Sequence, residues 1–162
     1  MKKTYLALTV ALVSLLGVSA ARAESPQHAS AAQSPRAQIV GVLKAYETSL
    51  NASDVNGVAA VYTDDAVLMP PNSPDAVGID AVRATYAGIF QAIDLDLTFE
   101  VAEVKIVSPE WAFLRSSSHG TITILANGAQ IPSANHELFV LHKGEGGWKL
   151  ARYSFSSTLP SS

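Results

Sequence analysis

The stretch AYETSLNASDVNGVAAVYTDDAVLMPP, residues 45–71, decides the fold of this chain. On both sides of the polar turn at 51–53, apolar residues recur with the 3.6-residue period of a helix. The last part, from 61 to 69, has the composition of a strand and stops at two prolines. Consecutive prolines end a strand because proline lacks the backbone N–H that a sheet ladder needs. The stretch therefore predicts helix, turn, helix and strand in immediate succession.

Capping signals and apolar stripes predict three helices. The first begins at Ser34-Pro35, because serine is a good N-cap and proline suits the first helical position. Its apolar stripe consists of Ile39, Val40, Leu43, Tyr46 and Leu50. Ser53 is predicted to cap the second helix, whose stripe is Val55, Val58, Ala59 and Tyr62. The third is predicted from Ile79 to Ile93, with Val82, Tyr86, Ile89, Phe90 and Ile93 on one side.

Beyond residue 93 the pattern changes to the alternation that is typical of strands. Apolar residues occupy odd positions from 95 to 101 and then even positions at 104 and 106, which predicts a β-bulge near Ala102 or Glu103. Further strands are predicted at Trp111–Ile124, Ile131–His142 and Trp148–Ser156, with a turn at 126–128. Helices followed by a curved antiparallel sheet make an α+β domain.

Three motifs carry a resemblance to a known superfamily: VYTDDAVLMPP at 61–71, GIDAV at 78–82 and GWKLAR at 147–152. They resemble the SnoaL-like superfamily, which includes ketosteroid isomerase and nuclear transport factor 2, and within it the SgcJ/EcaC-type branch. The resemblance covers residues 37–155 and implies a cone-shaped sheet wrapped around a long helix, with a pocket open at one end (the cystatin-like or SnoaL-like roll). Because this scaffold hosts isomerases, dehydratases, cyclases and association modules, the resemblance implies fold more specifically than function.

The resemblance also implies which pocket residues carry chemistry. Ketosteroid isomerase moves a proton with a carboxylate base and holds the resulting oxyanion with a tyrosine and a protonated carboxylic acid. By resemblance, Tyr46 takes the place of the tyrosine and Glu137 the place of the acid. The base falls on Pro70, which can neither accept nor release a proton. A pocket that keeps both oxyanion donors and lacks the isomerase base is therefore implied.

Each of the two donor residues has an alternative interpretation. Tyr46 is either a ligand contact or an ordinary core aromatic on the first helix. Glu137 shares one strand face with Phe139 and Leu141, so it is a pocket carboxyl if that face is interior and a solvated edge charge if it is not. Further ligand contacts are expected from Tyr62, Met69, Phe90, Trp111, Phe113, His119, Asn135, Phe139, Tyr153 and Phe155.

The first residues predict export. Lys2 and Lys3 precede an apolar run at 5–18 and the small-residue site Ala21-Arg22-Ala23, which indicates a secretory signal cleaved after Ala23. The alternative is a membrane anchor, but the run is shorter than the ~20 residues that span a bilayer. Expected divisions are the signal at 1–23, a flexible leader at 24–34, one domain at 35–158 and a tail at 159–162. The compartment expected is the bacterial periplasm or the medium.

Charge and composition limit the partners. Removing 1–23 deletes three of the 11 Lys and Arg and none of the 14 Asp and Glu, so the net charge moves from −3 to −6. An acidic chain without a basic stripe is not expected to bind nucleic acid. No metal or cofactor is expected, since His119, His136 and His142 lack the paired spacing of a zinc site. Two classes remain: an exported small-molecule binder or enzyme, and a dimeric association module. A homodimer is predicted.

Overall fold

The computed structural model describes residues 34–160, which form three helices and one six-stranded sheet. The predicted signal peptide, and the predicted leader up to residue 33, lie outside the described residues. In chain order the elements are α1 (Pro35–Asn51), α2 (Val55–Ala60), β1 (Tyr62–Met69), β2 (Ala76–Val77), α3 (Ile79–Ala92), β3 (Ile93–Ile106), β4 (Trp111–Ile124), β5 (Ala129–Gly144) and β6 (Gly147–Ser157). Within 34–160, no helix has the length and hydropathy to cross a membrane. The α+β prediction is confirmed.

Local capping chemistry sets the helix boundaries. The Ser34 side chain accepts a hydrogen bond from the Ala37 N–H at 3.2 Å, as its N-cap assignment predicts. The cap of α2 was assigned to the wrong residue. Asp54 accepts from the Asn56 N–H at 3.0 Å, whereas Ser53 has a φ of 52° and lies in the turn before the helix. Tyr62, expected on the α2 stripe, is instead the first residue of β1.

The sheet has the strand order β2-β1-β6-β5-β4-β3, with β3 to β6 forming a continuous antiparallel meander. β1 pairs with β6 in parallel, which the sequence pattern does not indicate. The predicted bulge in β3 is confirmed, because Val101 pairs with Ser116 while Glu103 pairs with Arg115 and Ala102 is left between them. β6 has a second irregularity. The adjacent β5 residues Val140 and Leu141 pair with Arg152 and Leu150, so Ala151 is left between the two pairs. Such bulges bend the strands around the helices.

One apolar core lies between the concave face of the sheet and the helices. The α1 stripe supplies Ile39, Leu43, Tyr46 and Leu50, all buried, and α3 supplies Val82 and Tyr86. At its C-terminal end, α1 is fastened to β3 through Asn51, whose amide donates to the Leu97 carbonyl at 2.8 Å and accepts from the Leu97 N–H at 3.0 Å. Because β3 is the edge strand of the sheet, this side chain satisfies backbone groups that have no neighbouring strand.

Candidate functional site

A cavity of about 190 Å³ lies between the helices and the inner face of the sheet. Its apolar wall comes from α1, α3 and the start of β3, and consists mainly of Leu50, Ile89, Ile93, Leu95, Leu97 and Phe99. Its other wall carries hydroxyl, amide and carboxyl groups: Tyr46, Tyr86, Ser133, Asn135, Glu137 and Tyr153. A mostly apolar cavity with a few convergent polar groups is the usual design of a small-ligand site.

Three tyrosines from three elements form a chain of hydrogen bonds that ends at the cavity. The Tyr86 hydroxyl on α3 lies 2.8 Å from that of Tyr46 on α1 and 2.9 Å from that of Tyr62 at the start of β1. We call Tyr62, Tyr86 and Tyr46 the tyrosine chain. Burial raises the pKa of Tyr86 to about 12 and also raises the pKa values of Tyr46 and Tyr62. All three hydroxyls therefore keep their protons at neutral pH and can act as donors.

Aromatic packing holds the Tyr46 ring in place. It meets Phe99, Phe139 and Tyr153 edge-on, with ring centroids 5.6 to 5.9 Å apart. Tyr153 in turn lies parallel to Phe139 at 4.2 Å and stacks on Phe155 at 5.3 Å. Such geometries are the preferred ones for aromatic pairs. The two interpretations of Tyr46 are therefore not exclusive, since its ring belongs to the core and the residue also lines the cavity.

Glu137 is the carboxyl group of the cavity wall. It lies on the inner face of β5 with Phe139 and Leu141, and it is only 5% exposed. The Ser116 hydroxyl on β4, directly opposite in the ladder, donates a hydrogen bond to its Oε2. Burial raises the pKa of Glu137, and the hydrogen bonds from Ser116 and Ser118 oppose that rise. Of the two positions considered for Glu137, the structure places it at the interior one.

Pro70 also borders the cavity, next to the end of β1. It occupies the side of the site where the resemblance places a catalytic base. Glu137 is the one carboxyl group among the described residues that line the cavity, so a proton transfer there that needs a carboxylate would have to use Glu137. Burial raises the pKa values of Tyr86 and Tyr153, and the nearby charge of Glu137 raises them further.

The expected ligand contacts divide into three groups. Asn135, Tyr153 and Phe155 line the cavity. Tyr62, Phe90 and Phe139 lie behind lining residues, where Tyr62 bonds to Tyr86, Phe90 packs on Tyr86 and Phe139 stacks on Tyr153. Met69, Trp111, Phe113 and His119 do not line the cavity.

Strand register explains why that last group lies on the outer face. Glu137 faces inward and pairs with Ser116, so the even residues of β4 face inward and its odd residues face outward. Trp111 is accordingly 37% exposed and packs against His142, with the ring centroids 4.5 Å apart and the rings tilted by 41°. His119 is exposed as well. Met69 follows the inward-facing Leu68 on β1 and pairs with Ser154 on the outer face. Alternation along one strand was visible in the sequence, but the register between strands was not.

Three contributors to the site were not expected from the sequence. Tyr86 was assigned only to the apolar stripe of α3, although it is the centre of the tyrosine chain. Ser116 and Ser118 are not among the expected site residues, although both are buried and face Glu137. The signal that could have found them is the alternation in β4, where small polar residues share a face with Ala112 and Leu114.

No cluster of three or more His, Cys, Asp or Glu that could hold a metal ion occurs among residues 34–160. His119, His136 and His142 sit on different parts of the outer face, opposite Ala134, Ser117 and Trp111 respectively. The polar groups that line the cavity are hydroxyl, amide and carboxyl groups.

Comparison with known proteins agrees with this architecture. A solved structure of a ketosteroid isomerase-like protein from Erwinia carotovora atroseptica is 41% identical to this chain, covering 79% of it and 99% of that protein, with a TM-score of 0.75. A nuclear transport factor 2-like superfamily protein from Salmonella enterica has the same fold at 14% identity, with coverages of 79% and 94% and a TM-score of 0.69. So does a domain of unknown function with a cystatin-like fold from Nostoc punctiforme, at 16% identity, 79% and 80% coverage and a TM-score of 0.65.

The family profile of the SnoaL-like domain matches residues 42–151, which is more than half of the chain. The matched range runs from the middle of α1 to β6 and contains the tyrosine chain, Pro70 and Glu137. The superfamily and fold expected from the motifs are thereby confirmed, and the narrower SgcJ/EcaC branch stays a prediction. The chain belongs to the SnoaL-like domain family and has the cystatin-like fold of its nuclear transport factor 2-like relatives.

Proposed function

We propose that this protein binds a small, mostly apolar ring molecule and holds its phenol or enolate oxygen between Tyr46 and Glu137. The observation that carries the proposal is the convergence of the tyrosine chain and a protonatable carboxyl on one apolar cavity. If Tyr62 donates to Tyr86 and Tyr86 to Tyr46, the Tyr46 proton is left for a ligand oxygen. Each donor in such a chain polarises the next one, which strengthens the final hydrogen bond.

The protonation state of Glu137 fits the same role. Burial raises its pKa, which favours the neutral acid, and a neutral acid can donate a second hydrogen bond to a ligand oxygen. Pro70 supplies no proton acceptor on its side of the cavity. We therefore propose binding without isomerisation of a β,γ-unsaturated ketone, and we assign no enzymatic activity to the site.

The proposal is tested by calorimetric titration of 2-naphthol against the wild type, Tyr46→Phe and Glu137→Gln. Losing one hydrogen bond to a charged oxygen predicts about 1.5 to 3 kcal/mol of lost binding free energy for Tyr46→Phe. Affinity for the phenolate form should fall as the pH rises through the Glu137 pKa, since an ionised Glu137 repels it.

A matched control variant is Ser117→Ala, which removes a hydroxyl from the outer face of the same strand that carries Ser116. It should bind 2-naphthol like the wild type. Equal affinity in Tyr46→Phe, Glu137→Gln and the wild type would overturn the proposal. An isomerase rate well above that of buffer would overturn the proposal of binding without isomerisation, because it would show that a group in the site, Glu137 included, acts as a base.

The alternative function is a dimeric association module, and the outer face of the sheet favours pairing with a second copy. Met69, Phe113 and Val140 are only half-buried there, and Leu138 is 45% exposed. Apolar patches of this kind mark association surfaces, and a two-fold dimer is the commonest way to cover them. We propose a homodimer on this face, alongside ligand binding. Light scattering at micromolar concentration checks it, with Leu138→Glu expected to give monomer.

Export is part of the proposal and rests on the sequence. The residues Ala21-Arg22-Ala23 supply the small residues of a cleavage site after a lysine-containing start and an apolar run. The exported protein should therefore begin at Glu24. Intact mass spectrometry of periplasmic protein checks this, and a mass that includes residues 1–23 would contradict it.

A further inference from the structure

A ladder of polar side chains continues along the inner face of β4 and β5 beyond Glu137. Ser116 pairs with Glu137 and Ser118 with Asn135, the next inward-facing pair along the two strands. The Asn135 amide donates to the hydroxyls of Ser118 at 3.2 Å and Ser133 at 3.3 Å. The site thus has a second polar group, apart from the one that Tyr46 and Glu137 form.

The hydrogen bonds of Asn135 decide what it can offer a ligand. Both use the amide nitrogen, which has two hydrogens to donate. The carbonyl oxygen of the same side chain can still accept, and Asn135 lines the cavity. Ser133, which accepts from Asn135 and also lines the cavity, has its own proton to give. This end of the cavity is therefore suited to a ligand hydroxyl, which both donates and accepts.

Spacing and volume limit the shape of the ligand. Two residues along a strand are separated by about 7 Å, so the second polar group lies about that far from Glu137. An apolar cavity of roughly 150 Å³ is known to hold one benzene, so a cavity of about 190 Å³ suits one ring or two fused rings. Opposite the ladder, Leu50, Ile89 and Leu95 form an apolar wall. A flat ring fits between this wall and the ladder.

We propose that the ligand is a flat one- or two-ring molecule with a second hydroxyl at the end opposite its first, and that Asn135 is the residue that selects for this second hydroxyl. The inference rests on the proposed function, because the first oxygen must occupy the site at Tyr46 and Glu137. It adds the size of the ring system and the position of the second polar group.

The test compares three ligands of one ring system by calorimetry: 2-naphthol, 2,6-dihydroxynaphthalene and 2,3-dihydroxynaphthalene. Only the 2,6 isomer places its second hydroxyl at the far end. The wild type should bind it about 3- to 10-fold more tightly than 2-naphthol, as expected for one added hydrogen bond. The 2,3 isomer should show no such gain.

Asn135→Leu should remove the preference, so that the variant binds the 2,6 and 2,3 isomers with equal affinity. A urea unfolding transition like that of the wild type shows that the variant is folded. Ser133→Ala, a smaller change in the same group, should reduce the preference, and Ser117→Ala on the outer face should not change it.

The outcomes separate the two proposals. Equal affinity of the wild type for the 2,6 and 2,3 isomers overturns the role of Asn135 and leaves the proposed function standing. So does an Asn135→Leu variant that keeps the 2,6 preference. If the wild type binds none of the three ligands, the proposed function and this inference are both overturned.

Discussion

Replacing Tyr86 by phenylalanine removes one oxygen from the centre of the tyrosine chain, and the structure predicts a large loss of stability. The Tyr86 hydroxyl makes two hydrogen bonds, to Tyr46 and to Tyr62. Each contributes about 1 kcal/mol net to the free energy of unfolding. Tyr62 is 1% exposed, so its buried hydroxyl would lose its 2.9 Å partner and keep only the neighbouring Tyr46 hydroxyl, at a further cost of about 1 to 3 kcal/mol. Water in the cavity can replace the lost partner of Tyr46.

The expected loss for Tyr86→Phe is therefore about 3 to 5 kcal/mol. Tyr62→Phe is the matched control, since it removes the same atom from the end of the chain and breaks one bond only. Because Tyr86 keeps its bond to Tyr46 in that variant, the expected loss is only about 1 kcal/mol. Both variants delete one hydroxyl oxygen, so they differ only in how many buried hydroxyls lose a hydrogen-bond partner.

Urea unfolding followed by tryptophan fluorescence measures both values, with the buried Trp148 as a reporter of the core. The comparison requires that the free energy of unfolding falls equally steeply with urea concentration in the wild type, Tyr86→Phe and Tyr62→Phe. A Tyr86→Phe variant no less stable than Tyr62→Phe would refute the reasoning, because it would mean that Tyr86 does not link the two other hydroxyls.

Three further predictions concern the surroundings of the cavity. Burial raises the pKa of Glu137 above its ordinary value of 4.5, so between that value and the folded-state pKa the folded protein holds a proton that the unfolded chain releases. The free energy of unfolding of the wild type, relative to that of Glu137→Gln, should therefore fall as the pH rises through this range. Urea unfolding across pH measures this, and a pH-independent difference would contradict it. Asn51→Ala should cost about 1 to 2 kcal/mol, since two hydrogen bonds to Leu97 are lost, and hydrogen exchange should quicken at the Leu97 amide first. Gly120 has a φ of 153°, and a Cβ added there would collide with the Asp96 carbonyl. Gly120→Ala should therefore lower the free energy of unfolding, measured by thermal unfolding, by about 2 kcal/mol or more, which is the order of the cost of a strained backbone conformation. Gly128→Ala, with open space around it, is its control and should cost less.

The local features of this protein were readable from the sequence, because they depend on residues close together in the chain. The helix boundaries at Ser34 and Ile79 follow from capping chemistry and periodicity. The bulge at Ala102 follows from the change of parity along one strand. The family resemblance singled out Tyr46, Pro70 and Glu137, and each lines the cavity. Alternation also placed Glu137 and Phe139 on one face, although it did not say which face was interior.

Only the tertiary structure decided which residues meet across the cavity. The hydroxyls of Tyr46, Tyr62 and Tyr86 come from α1, β1 and α3, so their convergence depends on how those elements pack. The pairing of Ser116 with Glu137 turned Phe113 and its odd-numbered neighbours to the outer face. A shift of one residue between strands would reverse every side chain of β4, and nothing within β4 itself specifies that register. Periodicity within a segment is a property of its own residues, whereas register and convergence are set by contacts between distant segments.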